Sequence, residues 1–159
     1  IPQAESRLTQ TKSAIHSLSE LTKTIQKDQA KLKNQHSQQK AQDLQNKIST
    51  LAQGAIVTDT IPNADMKQLR QLSDQLVSSH PNLIAILAGE AKGKGIVVVK
   101  VGPQVTVPIN AQEIMTKITT ICQGSGGGRP DMAQAGGKDP AKLAEALEAG
   151  RTFAAKIMA

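Results

Sequence analysis

The feature that most constrains this chain is the stretch from Glu5 to Leu51, which contains neither glycine nor proline. These two residues interrupt helices most strongly, because glycine is too flexible and proline lacks the backbone N–H. Ten of the first 53 residues are glutamine, which is a good helix former. The sequence therefore predicts one continuous helix, about 70 Å long at a rise of about 1.5 Å per residue.

Apolar residues recur in this helix at spacings of three, four and seven, which places them on one stripe. A small domain cannot bury such a stripe along its whole length, so we expect coiled-coil packing against another helix. The partner is either a second copy, giving a homodimer, or a preceding helix of a longer chain. The stripe weakens between His36 and Gln39, where a partner contact or a bend is expected. Its members are Leu8, Ile15, Leu18, Leu21, Ile25 and Leu32, followed by Ala41, Leu44, Ile48 and Leu51.

Gly54 is predicted to end the helix, and short β-branched runs then alternate with helical patterns. The predicted fold class is α/β: a long coiled-coil-like helical segment over 1–53, then a small α/β globular domain over 54–159 with a predominantly buried sheet. The predicted strands cover 55–60, 82–88 and 95–101. The predicted helices cover 63–79 with Asn63 as cap, 110–122 with a capping box at Asn110, and a last helix that opens at Asp139-Pro140.

Charge and cysteine content give weaker constraints. The chain has 19 Lys+Arg against 13 Asp+Glu, a net charge of +6 that suits a polyanionic partner, although a charged helix surface alone would also explain it. The single cysteine, Cys122, excludes an internal disulfide and favours a reducing compartment, the cytoplasm or alternatively the mitochondrion. No apolar run approaches the roughly 20 residues that span a bilayer, so we expect a soluble protein without a membrane partner. Because the chain begins Ile1-Pro2, we expect a piece of a longer protein.

Residues 124–137, GSGGGRPDMAQAGG, form the most unusual stretch, with six glycines. We expect a glycine-rich loop there, since glycine clusters occur where φ is positive or where another group approaches the backbone closely. The dinucleotide and P-loop patterns fail: Arg129 occupies the third glycine position of G-x-G-x-x-G, and no Gly-Lys pair precedes Ser or Thr. Exposed backbone N–H groups with Arg129 among them, near the start of the last helix, would suit an anion. A tight turn between helix and sheet is the structural alternative, and the chemistry alone leaves both open.

The segment Gly126–Gly137, GGGRPDMAQAGG, closely resembles the signature at the carboxyl end of alanyl-tRNA synthetases, in a domain type also attached to DHH-family phosphoesterases. The resemblance extends more loosely over the elements from about residue 54 and over the preceding polar helix. It implies an appended C-terminal domain that contacts the elbow of tRNA and helps aminoacylation and editing act on the same tRNA(Ala). Ser125 stands where a lysine is common in the family, which leaves one phosphate contact without its usual side chain.

The predicted RNA contacts lie in two places. One place is the glycine-rich stretch and the other is the turn over 89–95, although turn lysines are often merely solvated. The helix lysines Lys23, Lys27, Lys31 and Lys33 either line RNA or only keep the helix soluble. Since Phe153 is the only aromatic residue, bases cannot stack on an aromatic platform, and we expect recognition of a folded RNA by shape and phosphate contact. The predicted RNA-binding residues are Gly126, Gly127, Gly128, Arg129, Gln134 and Lys138, with Lys92 and Lys94 of the turn.

We expect no catalytic residue, metal site or cofactor in this chain. The editing pattern that the resemblance implies, H-x-x-x-H with a later C-x-x-x-H, is missing, because His16, His36 and His80 are far apart and Gly126 follows Cys122 at the histidine position. ATP and zinc would belong to other domains of the parent ligase, which are expected partners. The rival hypotheses are an interaction module that associates through its helix without touching RNA, and a phosphoesterase accessory domain.

Overall fold

A computed structural model describes all 159 residues, and contacts divide them into two compact units, residues 1–39 and 40–159. The elements are α1 (Pro2–Asn46), β1 (Ser49–Leu51), β2 (Gly54–Pro62), α2 (Met66–Ser79), β3 (Leu83–Ala91), β4 (Lys94–Val101), α3 (Ala111–Cys122), β5 (Ser125–Gly128), β6 (Met132–Gly137), a short 3₁₀ helix (Pro140–Lys142) and α4 (Leu143–Met158). The six strands form one mixed sheet in the order β1-β2-β3-β4-β6-β5. Only β2 and β3 run parallel, joined by the crossover helix α2.

Both faces of the central sheet are buried, as predicted for the α/β domain. Successive side chains of a strand point to opposite faces, so each strand contributes to two cores. On one face, α2 packs its Leu69, Leu72 and Leu76 on alternate residues of β2, β3 and β4. On the other face, α3 and α4 cover the intervening residues, together with Ala133 and Ala135 of β6. We call these the α2 face and the α3/α4 face.

The long helix is shorter than predicted. It ends at Asn46, because residues 49–51 pair antiparallel with 54–56 instead of continuing the helix to Leu51. Gly54 does not end the helix but takes φ +149° at the turn of this hairpin, where an added Cβ would collide with the backbone oxygen of Asn82. A left-handed backbone with a close neighbour is a position that only glycine fills without strain.

The apolar stripe of α1 divides at the boundary between the two units. Leu44 is fully buried on the α2 face, with Ala41 and Ile48 packed around it, so this part belongs to the core of residues 40–159. Lys47 adds an exposed ion pair with Asp59 at 2.8 Å, and this hydrogen bond and its charge raise the pKa of Lys47. The six apolar residues from Leu8 to Leu32 are instead 51–65% exposed.

The cap of α2 differs from the prediction. Asp65, not Asn63, is the N-cap: its carboxylate accepts the backbone N–H of Gln68 at 2.8 Å, and the Gln68 side chain accepts the N–H of Asp65 at 3.0 Å. This reciprocal capping box satisfies two N–H groups that a helix start leaves free, whereas Asn63 takes a left-handed φ of 55° in the preceding turn. The capping box predicted at Asn110 is confirmed in part: the Asn110 side chain accepts the N–H of Glu113 at 2.9 Å, but the Glu113 side chain accepts no bond in return.

The glycine-rich stretch is not a loop, and that prediction was wrong. Its residues form β5 and β6, an antiparallel hairpin that makes one edge of the sheet. No glycine between 124 and 137 has a positive φ; only Gly54 and Gly93 do. The glycines therefore serve close approach between backbones rather than an unusual backbone conformation.

Candidate nucleic-acid interface

The three consecutive glycines of β5 have two different surroundings. A Cβ at Gly126 would collide with the Gln134 oxygen and Ala135, and one at Gly128 would collide with the Met132 oxygen. Their register partners Ala135 and Ala133 lie in the α3/α4 core, so these two exposed glycines allow β5 to lie close against the β6 residues of that core. Gly127 points to the opposite face and has no heavy atom within 4 Å of such a Cβ. Close packing thus explains Gly126 and Gly128 but leaves Gly127 unexplained.

The hairpin tip is ordered by hydrogen bonds from neighbouring elements. The side chain of Gln112 donates to the Gly128 carbonyl at 2.5 Å, and the N–H of Ala111 donates to the Pro130 carbonyl at 2.7 Å. The end of β4 contributes a third bond, from the Val101 N–H to the Asp131 carbonyl at 2.8 Å. The tip therefore lies against the start of α3, not against the last helix as predicted. Its order needs no bound RNA.

Arg129 is an exposed cation at this tip. Its backbone exchanges two hydrogen bonds with Met132, at 2.7 and 3.2 Å, so it continues the β5–β6 ladder by one pair. Alternation from Gly127 places its side chain on the α2 face. Arg129 forms no ion pair and no side-chain hydrogen bond, so the expected structural alternative of a pair with Asp131 is not observed.

The other predicted contacts are spread along the hairpin. Lys92 and Gly93, with φ of 55° and 71°, form the tight turn between β3 and β4, and Lys92 and Lys94 are exposed. Because Gly95 pairs with Gly137, this turn lies at the same end of the sheet as the exposed Lys138. Arg129 lies at the other end of β6, about 17 Å away for five residue steps. The structure therefore separates the predicted residues into two groups.

Gln134 lies between the two groups on the central row of the hairpin. It pairs with Val98 on one side and with Gly127 on the other. Its side chain is half-buried, and its carboxamide oxygen is buried without a hydrogen-bond partner. A buried unpaired oxygen costs about 1–3 kcal/mol, which singles out Gln134 among the predicted residues.

The structure adds a groove that sequence reasoning missed. It has a volume of about 520 Å³ and lies between α2 and the outer strands. Lys67 and Arg70 are exposed on one side of α2, three residues apart, and Lys100 of β4 is paired with Asp74 at 3.0 Å. The spacing of the two basic residues on a predicted helix was the available signal. The groove is lined by Met66, Lys67, Arg70, Gln71, Asp74, Lys100 and Met132.

Comparison with known proteins identifies the family. The sequence family described as the DHHA1 domain matches residues 52–156. The chain belongs to the DHHA1 domain family. This DHHA1 chain is similar in structure to the C-Ala domain from Aquifex aeolicus alanyl-tRNA synthetase, with a TM-score of 0.61 and 26% identity over 70% of this chain and 97% of that one.

Curated relatives of this DHHA1 chain are alanine–tRNA ligases. The ligase of Latilactobacillus sakei is 34% identical over 96% of this chain and 18% of its own length. The ligase of Anaeromyxobacter dehalogenans is 40% identical over 67% of this chain and 12% of its own length. This chain therefore spans less than a fifth of the relatives that it matches.

Chemically reactive side chains are dispersed in this DHHA1 chain. No three His, Cys, Asp or Glu side chains come together in a way that could hold a metal ion. Cys122 is buried at the end of α3, while His16 and His36 are exposed. His80 is half-buried at the C-cap of α2. None of the helices combines the length and apolarity that crossing a membrane requires.

Proposed function

We infer that this chain is the C-terminal, tRNA-binding part of an alanyl-tRNA synthetase. The observation that carries the proposal is the exposed β5–β6 hairpin, with the unpaired Arg129 at its tip and the open position at Gly127. Arginine grips phosphate bidentately, and a bare glycine backbone lets a phosphate strand approach closely. The similarity to alanine–tRNA ligases and to a C-Ala domain supports tRNA(Ala) as the RNA.

Aromatic content favours a folded RNA over a single strand. Phe153 is the only aromatic residue, and Lys117 already covers its ring at 5.5 Å. Single-strand binders stack bases on aromatic faces, whereas folded RNA is recognised by shape and backbone contacts. The finer proposal is contact at the tRNA elbow, which would keep one tRNA bound while the parent enzyme's other domains charge and edit it. The parent enzyme would work in the cytoplasm, or alternatively in the mitochondrion.

A titration with tRNA at several salt concentrations tests this function. We expect saturable binding of tRNA(Ala) by the 159-residue chain, with affinity that falls as salt rises because phosphate contacts release counterions. An unstructured RNA of equal length is the control, and it should bind more weakly at every salt concentration. Equal binding of both RNAs, or no saturable binding of tRNA, would contradict the proposal.

A second candidate function is helix-mediated association without RNA contact. The observation that favours it is the exposed apolar stripe of α1 from Leu8 to Leu32, since helices bury such stripes against a partner helix. In this case the partner would be a second copy or another helix of the parent enzyme. Association through the stripe would not by itself prevent RNA binding, because the stripe and the hairpin belong to different units of the chain, so the tRNA titration decides between the two candidates.

A further inference from the structure

The α2 face of the outer strands carries several features that packing does not explain. Alternation along β4, β6 and β5 places three rows of residues there, and α3 packs across β5 and β6 only on the opposite face. Helix α2 packs on β3 and β4, so β6 and β5 extend beyond it. The rows are Lys100, Met132 and Arg129; Val98, Gln134 and Gly127; and Ile96, Gly136 and Ser125.

The centre of this surface is a shelf of bare backbone. A Cβ at Gly127 or Gly136 would meet no heavy atom within 4 Å, so neither glycine is needed for packing. Both are exposed and neither has a positive φ, so backbone conformation does not require glycine either. We therefore attribute both glycines to the space that they leave above the sheet. A side chain at either position would project from the sheet and prevent another backbone from approaching.

Basic side chains border the shelf on two sides. Lys67 and Arg70 project from α2 without ion-pair partners, and Arg129 lies at the hairpin tip. The groove between α2 and the sheet is lined by three basic residues against one acidic residue, Asp74. The adjoining groove of about 410 Å³ shares Lys100 and Asp74 but adds Asp131, which makes it acidic by one. An anion is therefore attracted to the half that Lys67 and Arg70 line.

A buried acceptor without a partner marks the same face. The Gln134 carboxamide stands in the middle row, between Val98 and Gly127, with its oxygen buried and unpaired. Buried polar groups in folded proteins nearly always have partners, so an exception calls for one. Because the oxygen is enclosed, the ribose hydroxyl of an RNA strand on the shelf could donate to it only after the side chain turns outward.

We propose that the groove between α2 and the β4–β6–β5 surface binds the phosphate backbone of an RNA strand. Lys67 and Arg70 contact phosphates from α2, Arg129 contacts them from the hairpin, and Gly127 and Gly136 provide the shelf on which the strand lies. This proposal rests on the proposed tRNA-binding function and adds where the RNA binds. The RNA lies on the α2 face, and residues of α2 contact it. The α3/α4 face takes no part.

The double variant Lys67→Gln with Arg70→Gln tests the groove. Glutamine is a good helix former and both positions are exposed, so α2 should fold normally, with an unchanged melting temperature. We expect tRNA affinity to fall roughly ten- to hundredfold at low salt and the log–log salt slope to drop by about two, one for each lost phosphate contact. The matched control, Lys142→Gln with Lys156→Gln, removes the same charge around α4 and should bind like wild type.

The outcomes of this experiment distinguish a failure of the proposed groove from a failure of the proposed tRNA-binding function. If wild type binds tRNA and both double variants bind equally well with equal slopes, the groove is wrong and the function stands. If both variants lose the same affinity, only net charge matters, and the groove is again wrong. If wild type itself shows no saturable tRNA binding, the proposed function fails and the groove falls with it. Restoring Arg70 alone in the double variant should recover about one unit of slope.

Crosslinking tests the location of the bound RNA independently of changes in net charge. Cys122 is fully buried, so one added cysteine can carry a photoreactive label selectively. A label at Gln71→Cys, inside the groove, should crosslink to bound tRNA, and a label at Lys156→Cys, on α4, should not. Equal yields at the two positions, or a higher yield from Lys156→Cys, would overturn the assignment to the α2 face.

Discussion

At the scale of single residues, neighbouring glycines of one strand have different roles. Gly126 faces the α3/α4 core, where an added Cβ would overlap Ala135, whereas Gly127 faces open space. The strand alternation that separates them makes them a matched pair for experiment. One position reports on packing and the other on what approaches the surface.

We predict that Gly126→Val and Gly127→Val separate folding from binding. Gly126→Val should lower the free energy of unfolding by about 1–3 kcal/mol, because overpacking forces the strand to shift. Gly127→Val should leave stability within about 0.5 kcal/mol, since valine suits a strand, but should weaken tRNA binding by holding the RNA backbone away. Thermal melts and tRNA titrations check both. Wild-type tRNA affinity in Gly127→Val would argue against the shelf.

Arg129 supplies a second test at residue scale. Arg129→Ala should reduce the log–log salt slope of tRNA binding by about one, as expected for one lost phosphate contact. Because Arg129 forms no ion pair within the protein, the melting temperature should stay unchanged. Arg129→Lys is the control and should keep most of the slope. A lower melting temperature with an unchanged slope would assign Arg129 a structural role, and Lys92 and Lys94 would become the next candidates.

At the scale of elements, α1 serves two purposes along its length. Its end packs Leu44 into the core of residues 40–159, while its first part carries the exposed apolar stripe. Helix propensity alone gives marginal stability, so a stripe of this kind is normally held by packing against a partner. The homodimer therefore stays a prediction that solution experiments can decide.

We predict that Leu18→Lys with Ile25→Lys abolishes association through α1. Each side chain is worth about 1.5–3 kcal/mol when buried, and a buried lysine adds the cost of its charge. Light scattering should show a wild-type oligomer and a monomeric variant, with reduced helicity where α1 loses its partner. The control, Ser17→Lys with Thr24→Lys, adds the same charge beside the stripe and should keep the wild-type mass. A monomeric wild type, or unchanged mass and helicity in the double variant, would count against the prediction.

At the scale of the whole molecule, the chain is a small fraction of the ligases that it resembles, spanning 18% of one and 12% of another. Its ionisable residues do not gather into a metal site. In the proposed function, such a domain would position a shared substrate and so raise the local concentration of tRNA at sites on other domains. Its contribution would be visible only in the intact enzyme.

We predict that the chain alone neither activates alanine nor releases it from charged tRNA. The reason is the absence of a histidine or cysteine constellation that could act as base or nucleophile. Incubation with alanyl-tRNA, followed over time, should show release at the rate of buffer. Release above that rate, and its loss on replacing one of the three histidines, would reveal a catalytic site.

Local patterns of the sequence were sufficient for the helices, the strands β2, β3 and β4 and the family resemblance. The long run without glycine or proline predicted α1, and the Asn110 cap and the β-branched runs predicted α3, β3 and β4, because caps and periodicity act over a few residues. The family resemblance rested on twelve residues of the hairpin, and residues 52–156 belong to the DHHA1 family. RNA binding itself stays a proposal.

Tertiary structure determined which residues and strands are neighbours. Glycine's short-range rules suggested a loop, but pairing with β4 made residues 125–137 a hairpin, and pairing with β2 took residues 49–51 out of the helix. The same pairing separated Arg129 from Lys138 and brought it to the side of the sheet that carries α2. No local pattern contains that proximity, because Lys67 and Arg129 are far apart in sequence and meet one surface only through the register of the sheet and the crossover of α2. The sequence by itself determined the helices, the strands β2, β3 and β4 and the chemistry available, and long-range pairing of strands determined the remaining strands and which chemistry shares a face.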